Sequence, residues 1–248
     1  MPHLLQRRSS MRLDLYLSER EGISRTRAQN LIKTGGVKVD GVLVDKPSIE
    51  VNTLSDIIVT DTVKYASLGG IKLENALNTF GINVNGLHCL DVGAANGGFT
   101  DCLLKQGAAS VCAVDLTIAF PSDLINDKRV TILDHTNVKD LKTAIGDQTF
   151  DFLCADLSFI SLTGMFELFS SFLKAEGKAV LLFKPQFEVG RKFLPKSGVV
   201  RDKKAIEKTF SAFLSAARVA GFKPVGHCAV PDVFPDKNEE RTVYFTKL

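Results

Sequence analysis

The stretch richest in chemistry is Leu90-Asp91-Val92-Gly93-Ala94-Ala95-Asn96-Gly97-Gly98-Phe99-Thr100. It joins an apolar run, His88 to Val92, to a segment of helical periodicity, and so reads as a strand-to-helix turn. Glycines in such a turn let a ligand approach the backbone, and the first helical turn aims unpaired N–H groups at it. The spacing D-x-G-x-x-x-G-G differs from the G-x-G-x-x-G of dinucleotide sites, and no phosphate-loop lysine follows. Asp91 would repel a pyrophosphate and attract a cation, which favours a ligand carrying a sulfonium and an ammonium group. The expected contacts are Asp91, Gly93, Ala94, Asn96, Gly97, Gly98 and Phe99. Asp115 closes the next apolar run, where a carboxylate can accept from two ribose hydroxyls. Asn137, after the third run, either meets a nucleobase or holds a turn.

Two more residues of chemical interest follow apolar runs directly: Asp156 after Phe150 to Ala155, and Lys184 after Lys178 to Phe183. At strand ends of a parallel sheet they face the crevice where ligands collect. A lysine serves as a base only if burial or a neighbouring cation lowers its pKa. With a carboxylate to orient it, such an amine can steer a hydroxyl and take its proton.

These residues need strands to hold them. Candidate strands are His88 to Val92, Val111 to Asp115, Val130 to Leu133, Phe150 to Ala155, Lys178 to Phe183 and Pro224 to Ala229. Helical stretches lie near Leu73 to Phe80, Gly98 to Gln106, Leu162 to Leu173 and Lys203 to Ala220. Continuous apolar strands alternating with helices predict an α/β unit whose parallel sheet is covered on both faces. Thr242 to Phe245 is a last strand, expected to pair with Pro224 to Ala229 at one edge.

A different pattern precedes it, from Met11 to Asp61. One helix begins at Arg12 to Leu17, and Ser24 is placed to cap a second, Arg25 to Lys33, stopped by Gly35-Gly36. Short strands follow at Val37 to Val39, Val42 to Val44 and Ile57 to Val59, with a turn at Asp40-Gly41. Arg12, Arg25, Arg27, Lys33 and Lys38 can share a face that meets phosphates. The expected organisation is a tail at 1–10, a small α+β domain at 11–61, a linker at 62–68 and an α/β domain at 69–248.

Of the 248 residues, 45% are hydrophobic and 24% charged, which suits a folded protein with a real core. The net charge of +3 permits a nucleic-acid partner without arguing for one. Five cysteines, an odd number without C-x-x-C spacing, suggest neither disulfides nor zinc, and point to a reducing, cytoplasmic setting. No metal is expected. No run is long enough to span a bilayer, and Met1 to Ser10 lacks a signal-peptide core, so no membrane is expected either. The oligomeric state is left open.

Two resemblances add to this. Arg12-Leu13-Asp14, Ser24-Arg25, Ala28, Leu31-Ile32, Gly36-Val37-Lys38-Val39, Asp40-Gly41 and Lys46-Pro47 resemble the RNA-binding module of the ribosomal-protein S-four type. Gly69 to Leu73, Asp91 to Asp101, Asp156 to Leu162, Lys184 to Gly190 and Gly198 to Asp202 resemble the TlyA family, often labelled hemolysin A. Those proteins are rRNA 2'-O-methyltransferases, similar more broadly to the FtsJ/RrmJ methyltransferases. The resemblance implies a Rossmann-like methyltransferase sheet, S-adenosylmethionine as cofactor, and ribosomal RNA or ribosomal subunits as partner. It also implies a Lys-Asp-Lys-Glu tetrad of Lys72, Asp156, Lys184 and Glu240, with Glu239 as the alternative fourth member. Lys184 would steer or deprotonate the ribose hydroxyl, Lys72 would position it and lower its pKa, and the acids would orient both amines. The sequence departs from the family pattern at Leu68 and in the loop after Asp115. The family label and that loop leave two alternatives, a membrane-active haemolysin and an RNA-binding protein with an inactive methyltransferase domain.

Overall fold

The computed structural model describes residues 10–23, 25–33, 35–52, 54–59, 64–230 and 238–248; for Thr26, Arg27, Asn30 and Arg191 it describes the backbone alone. The chain divides into two compact units, Met1–Leu68 and Gly69–Leu248.

In the first unit, helices α1 (Leu13–Glu21) and α2 (Arg25–Lys33) share a small core. Its buried members Leu13, Leu17, Ala28 and Ile32 recur at a helical spacing of four, so each helix turns one apolar stripe inward. The core is completed by Val37, Val51 and Ile57. Strand β1 (Met11–Arg12) pairs antiparallel with β4 (Glu50–Val51). Strands β2 (Val37–Val39), β3 (Val42–Leu43) and β5 (Ile57–Val59) form a sheet of order β3-β2-β5. The β2–β3 hairpin turns at Asp40 and Gly41, both with positive φ, the twist a two-residue hairpin requires. The β1–β4 ribbon was not foreseen, and Arg12 belongs to it rather than to the first helix. The expected Ser24 cap lies outside the described residues.

Among the described residues, the second unit is built on a seven-stranded sheet of order β11-β12-β10-β9-β6-β7-β8. Its strands are β6 (His88–Val92), β7 (Ser110–Val114), β8 (Val130–Leu133), β9 (Phe150–Ala155), β10 (Leu173–Phe183), β11 (Phe222–Ala229) and β12 (Arg241–Lys247). The run from β10 through β9, β6 and β7 to β8 is parallel, whereas β12 is antiparallel to both of its neighbours. The last strand pairs with Pro224–Ala229 as anticipated, but it inserts beside β10, so β11 is the edge. Thr242 to Phe245 is buried throughout, which explains the interior place.

Strand alternation divides the core. One face carries Leu90, Val92, Leu181, Phe183 and Phe245 against an aromatic cluster of Phe166, Phe169, Phe210, Phe213 and Phe222. Past the short helices α5 (Ser122–Ile125) and α6 (Leu141–Ile145), α7 (Phe166–Phe172) and α9 (Lys203–Val219) supply most of it. On the other face α3 (Gly69–Phe80) sets Phe80 against Tyr244, with ring centroids 5.5 Å apart. There α4 (Gly98–Lys105) buries Cys102, Leu103 and Leu104. The expected helix from Leu162 to Leu173 is broken: a 3-10 turn covers Leu162–Gly164, α7 follows, and Leu173 already belongs to β10. Gly164, a weak helix former, stands at the break.

Winding reverses between β6 and β9, so the carboxyl ends of these two strands open the crevice where an α/β sheet takes its ligands.

Candidate active site

Strands β9 and β10 run side by side in register Leu181↔Ala155, so the residues that follow them leave the sheet at the same end. Lys184 is only 8% exposed, and its Nζ lies 2.5 Å from Asp156 Oδ1. The same amine donates to Ser158 Oγ at 3.0 Å and sits 5.8 Å from the centroid of the Phe187 ring. Pro185 opens the short helix α8 (Pro185–Glu188), bending the chain away directly after Lys184.

A second pair stands near. Lys72, in the first turn of α3, donates to Glu240 Oε2 at 2.7 Å, and Gln186 Nε2 lies 3.4 Å from Glu240 Oε1. Burial pulls the Lys72 pKa down, but Asp156 and Glu240 more than offset it, so the ammonium form is favoured. The choice between two neighbouring glutamates is made by direction. Glu239 turns to Arg241 at 3.2 Å, and Arg241 also pairs with Glu207 at 2.5 Å, whereas Glu240 faces Lys72. With Glu239 committed to Arg241, Glu240 is the one of the two that meets Lys72.

The glycine turn is stitched to its surroundings. Gly93 and Ala94 both donate their N–H to the Val114 carbonyl, and the Asp156 N–H donates to the Val92 carbonyl. A Cβ on Gly93 would lie 2.7 Å from the Asp156 carbonyl oxygen, so only glycine lets this turn close against the strand end that carries Asp156. Asp115 accepts from the Ala95 N–H and the Thr117 N–H, both at 3.0 Å, which fixes the carboxylate across the turn. Ala95 itself has a φ of +44°, a strained value that sequence pattern did not flag. Ala94, Gly97, Gly98 and Phe99 are buried, while Asn96 is exposed at the tip.

Two of the expected contact residues are also held by the protein itself. Asp91 has no exposed surface: its carboxylate accepts from Thr100 Oγ1 at 2.6 Å, inside the protein. Burial pushes its pKa up to about 7, and the bond to Thr100 ties the carboxylate to the first turn of α4. Asn137 uses its side-chain oxygen to cap a 3-10 turn at Lys139 N, 3.0 Å away, which is the turn-holding role.

Residues beyond the expected set complete the site. Phe159 has a φ of +66° and is 92% exposed, with its ring 5.3 Å from that of Phe187. Glu188 accepts from Ser161 Oγ and Leu162 N at 2.6 Å and from Thr163 Oγ1 at 2.8 Å. The loops after β9 and β10 are therefore zipped together: Lys184 to Asp156 and Ser158, Phe187 to Phe159, Glu188 to residues 161–163. The strings DLSFISL and KPQFE announced these types, but their pairing crosses some 25 residues of sequence and was invisible to local pattern.

In the first unit, Asp14 is fully buried and accepts from three side chains as well as from the Leu15 N–H at 3.1 Å. Arg12 approaches it bidentately at 2.9 and 3.0 Å, Arg25 Nε at 3.0 Å and Gln29 Nε2 at 2.7 Å. The Arg12 contact, outweighing the cost of burial, holds its pKa well below the usual carboxylate range. Arg12 and Arg25 stay partly exposed, so part of each guanidinium is committed to Asp14 and only the remainder faces out. Lys33 and Lys38 are exposed, and the Arg27 side chain lies outside the described residues. Among the described residues no cluster of His, Cys, Asp or Glu is arranged to hold a metal, and no helix is long and apolar enough to cross a membrane.

Sheet order, switch-point crevice and glycine turn define a Rossmann-like domain of the methyltransferase type. Residues 65–247 match the FtsJ-like methyltransferase family model and residues 11–58 the S4 domain. "Hemolysin A" of Brachyspira hyodysenteriae is 38% identical over 95% of this chain and 99% of its own length. The "16S/23S rRNA (cytidine-2'-O)-methyltransferase TlyA" of Mycobacterium tuberculosis is 39% identical over 89% of this chain and 84% of its own. A solved Streptococcus thermophilus structure, provisionally named a hemolysin, superimposes with a TM-score of 0.74 at 30% identity, covering 96% of this chain and 88% of that one. The chain belongs to the FtsJ-like methyltransferase family, in the S4-bearing group that includes TlyA and Hemolysin A.

Proposed function

We propose that this protein transfers a methyl group from S-adenosylmethionine to the ribose 2'-hydroxyl of a cytidine in ribosomal RNA, working in the cytoplasm. In this reading residues 11–61 grip the RNA, 62–68 connect, and 69–248 carry out the transfer. The single observation that supports it most is the buried Lys184 amine held against Asp156 beside the glycine turn.

The residues present fit the cofactor. The crevice lies at the switch point, its turn closes tightly because residue 93 lacks a side chain, and Asp115 is fixed across it with oxygens suited to ribose hydroxyls. Bound there by the turn, Asp115 and Asp156, S-adenosylmethionine would supply an electrophilic methyl group. The chain supplies the rest. A ribose hydroxyl is a weak nucleophile at neutral pH and gains from being aligned and relieved of its proton as the new bond forms. Lys184 steers that oxygen or, as the free amine, takes up its proton while the methyl group leaves sulfur; Asp156 and Ser158 hold the amine in place. Lys72, kept charged by Asp156 and Glu240, adds positive charge beside the reacting oxygen. The exposed Phe159 ring gives the target base a surface to stack on.

The test is transfer of radiolabelled methyl from S-adenosylmethionine to isolated ribosomal subunits from cells lacking the modification, followed by mapping. The expected product is a 2'-O-methylcytidine. Label in no rRNA, or on a base, would overturn the reading. Removing residues 1–61 should abolish RNA methylation; activity unchanged by that truncation would point to a small-molecule substrate.

A further inference from the structure

The segment 191–204 carries Arg191, Lys192, Lys196, Arg201, Lys203 and Lys204 against the single acid Asp202, a net +5 in fourteen residues. The whole chain is only +3, so the other 234 residues sum to −2. The one acid is occupied, since Asp202 Oδ1 accepts from the Ala205 N–H at 3.1 Å as the cap of α9. Lys192, Lys196, Lys203 and Lys204 are exposed, and Phe193 among them is 57% exposed.

Position gives this charge a purpose. The segment begins three residues after α8, at the end of the sheet where Lys184 sits, and is pinned in place from two sides. Val200 is buried in the aromatic core, and its N–H donates to Asn238 Oδ1 at 2.8 Å, while Asn238 Nδ2 donates to the Gly198 carbonyl at 2.9 Å. Asn238 is two residues before Glu240, so the basic loop is tied to the chain that delivers a member of the lysine–carboxylate cluster.

We infer that residues 191–204 form a second RNA-backbone grip, built into the methyltransferase unit at the rim of its crevice and separate from the S4 domain. Its lysines meet phosphates flanking the target nucleotide, and the Phe193 ring faces an unpaired base. This rests on the proposed RNA substrate. A merely solvated loop has no need of such a concentration of one sign in a chain that is otherwise slightly acidic, nor of an anchor to the segment that carries Glu240.

The experiment compares the full chain with the triple variant Lys192→Gln, Lys196→Gln, Lys204→Gln, using transcribed large-subunit rRNA as probe. Binding is titrated from 50 to 200 mM KCl and methylation is followed at varied RNA. Each phosphate contact contributes about 0.7–0.9 to the slope of log affinity against log salt, so the variant should lose roughly 2 units of slope. The KM for RNA should rise about tenfold or more, with kcat, thermal midpoint and S-adenosylmethionine affinity retained. An unchanged salt slope and KM would overturn the inference, as would loss of binding to phosphatidylserine vesicles with RNA binding intact. A wild-type protein that binds rRNA but methylates nothing would sink the proposed function while leaving the salt slope to decide the grip.

Discussion

Two charged clusters, one in each unit, are built in opposite senses. In the first unit the carboxylate is inside: Asp14 is fully buried and its arginine partners remain partly in water. In the second the amine is inside: Lys184 is almost enclosed, and carboxylate and hydroxyl oxygens surround it. A buried acid with outward arginines sets guanidinium groups at fixed positions where phosphates can reach them. An enclosed amine is of little use for recognition but is placed to act on a single hydroxyl. On the proposed function, the same ion-pair chemistry serves as a gripping surface in one case and a reaction site in the other, according to which partner the fold hides.

The comparison can be broken at either end. The largest effect is expected from Lys184→Ala, which should lower kcat by about 10³-fold, roughly 4 kcal/mol of barrier, with S-adenosylmethionine affinity and fold retained. Single-turnover methyl transfer at the wild-type rate would end the steering role. Next comes Asp14→Ala. Deleting one partner of a buried ion pair costs about 3 kcal/mol, at the low end here because both arginines can rehydrate. Urea unfolding should locate that loss in the first unit, and RNA affinity should fall; a variant as stable as wild type would show that the clasp does not hold the unit.

Glu188→Gln should be milder. It weakens the far end of the zipper between the two loops, so kcat should drop several-fold while the RNA KM changes little, and Glu188→Asp should recover less than half of it. Equal losses in kcat/KM and thermal midpoint would assign Glu188 to folding alone. The last effect concerns stability against pH. Asp91 has its pKa raised by burial to about 7, against about 4 in an unfolded chain, so the folded state binds the extra proton between those values. Its contribution to stability therefore declines as pH rises from about 4 to 7 and is level above. Melting curves of Asp91→Asn should lack that decline relative to wild type, and parallel curves for the two would refute the assignment.

Much of this was legible in the chain itself. Alternating apolar runs and helical stretches gave the order of β6 to β10 and the strand ends at Asp156 and Lys184, because a fully buried strand must be apolar throughout. The glycine turn was legible because close backbone approach tolerates few residue types. Less visible was anything whose reason is distant in sequence. Nothing near Asp91 indicates that its carboxylate turns inward to Thr100, or near Asn137 that it caps the next turn. The zipper from Lys184 to Glu188 joins two loops separated by a helix and a strand.

The sequence by itself determined which elements form, where the chain turns, and that lysines and carboxylates stand at the ends of particular strands, since these follow from local periodicity and side-chain type. Tertiary structure closed the choice that resemblance left open between Glu240 and Glu239 as the partner of Lys72, and it alone decided that the last strand inserts beside β10 and which member of each ion pair is withdrawn from water. Those outcomes depend on how remote segments share one volume, and burial, which sets the strength and purpose of every charge here, is a property of that shared volume.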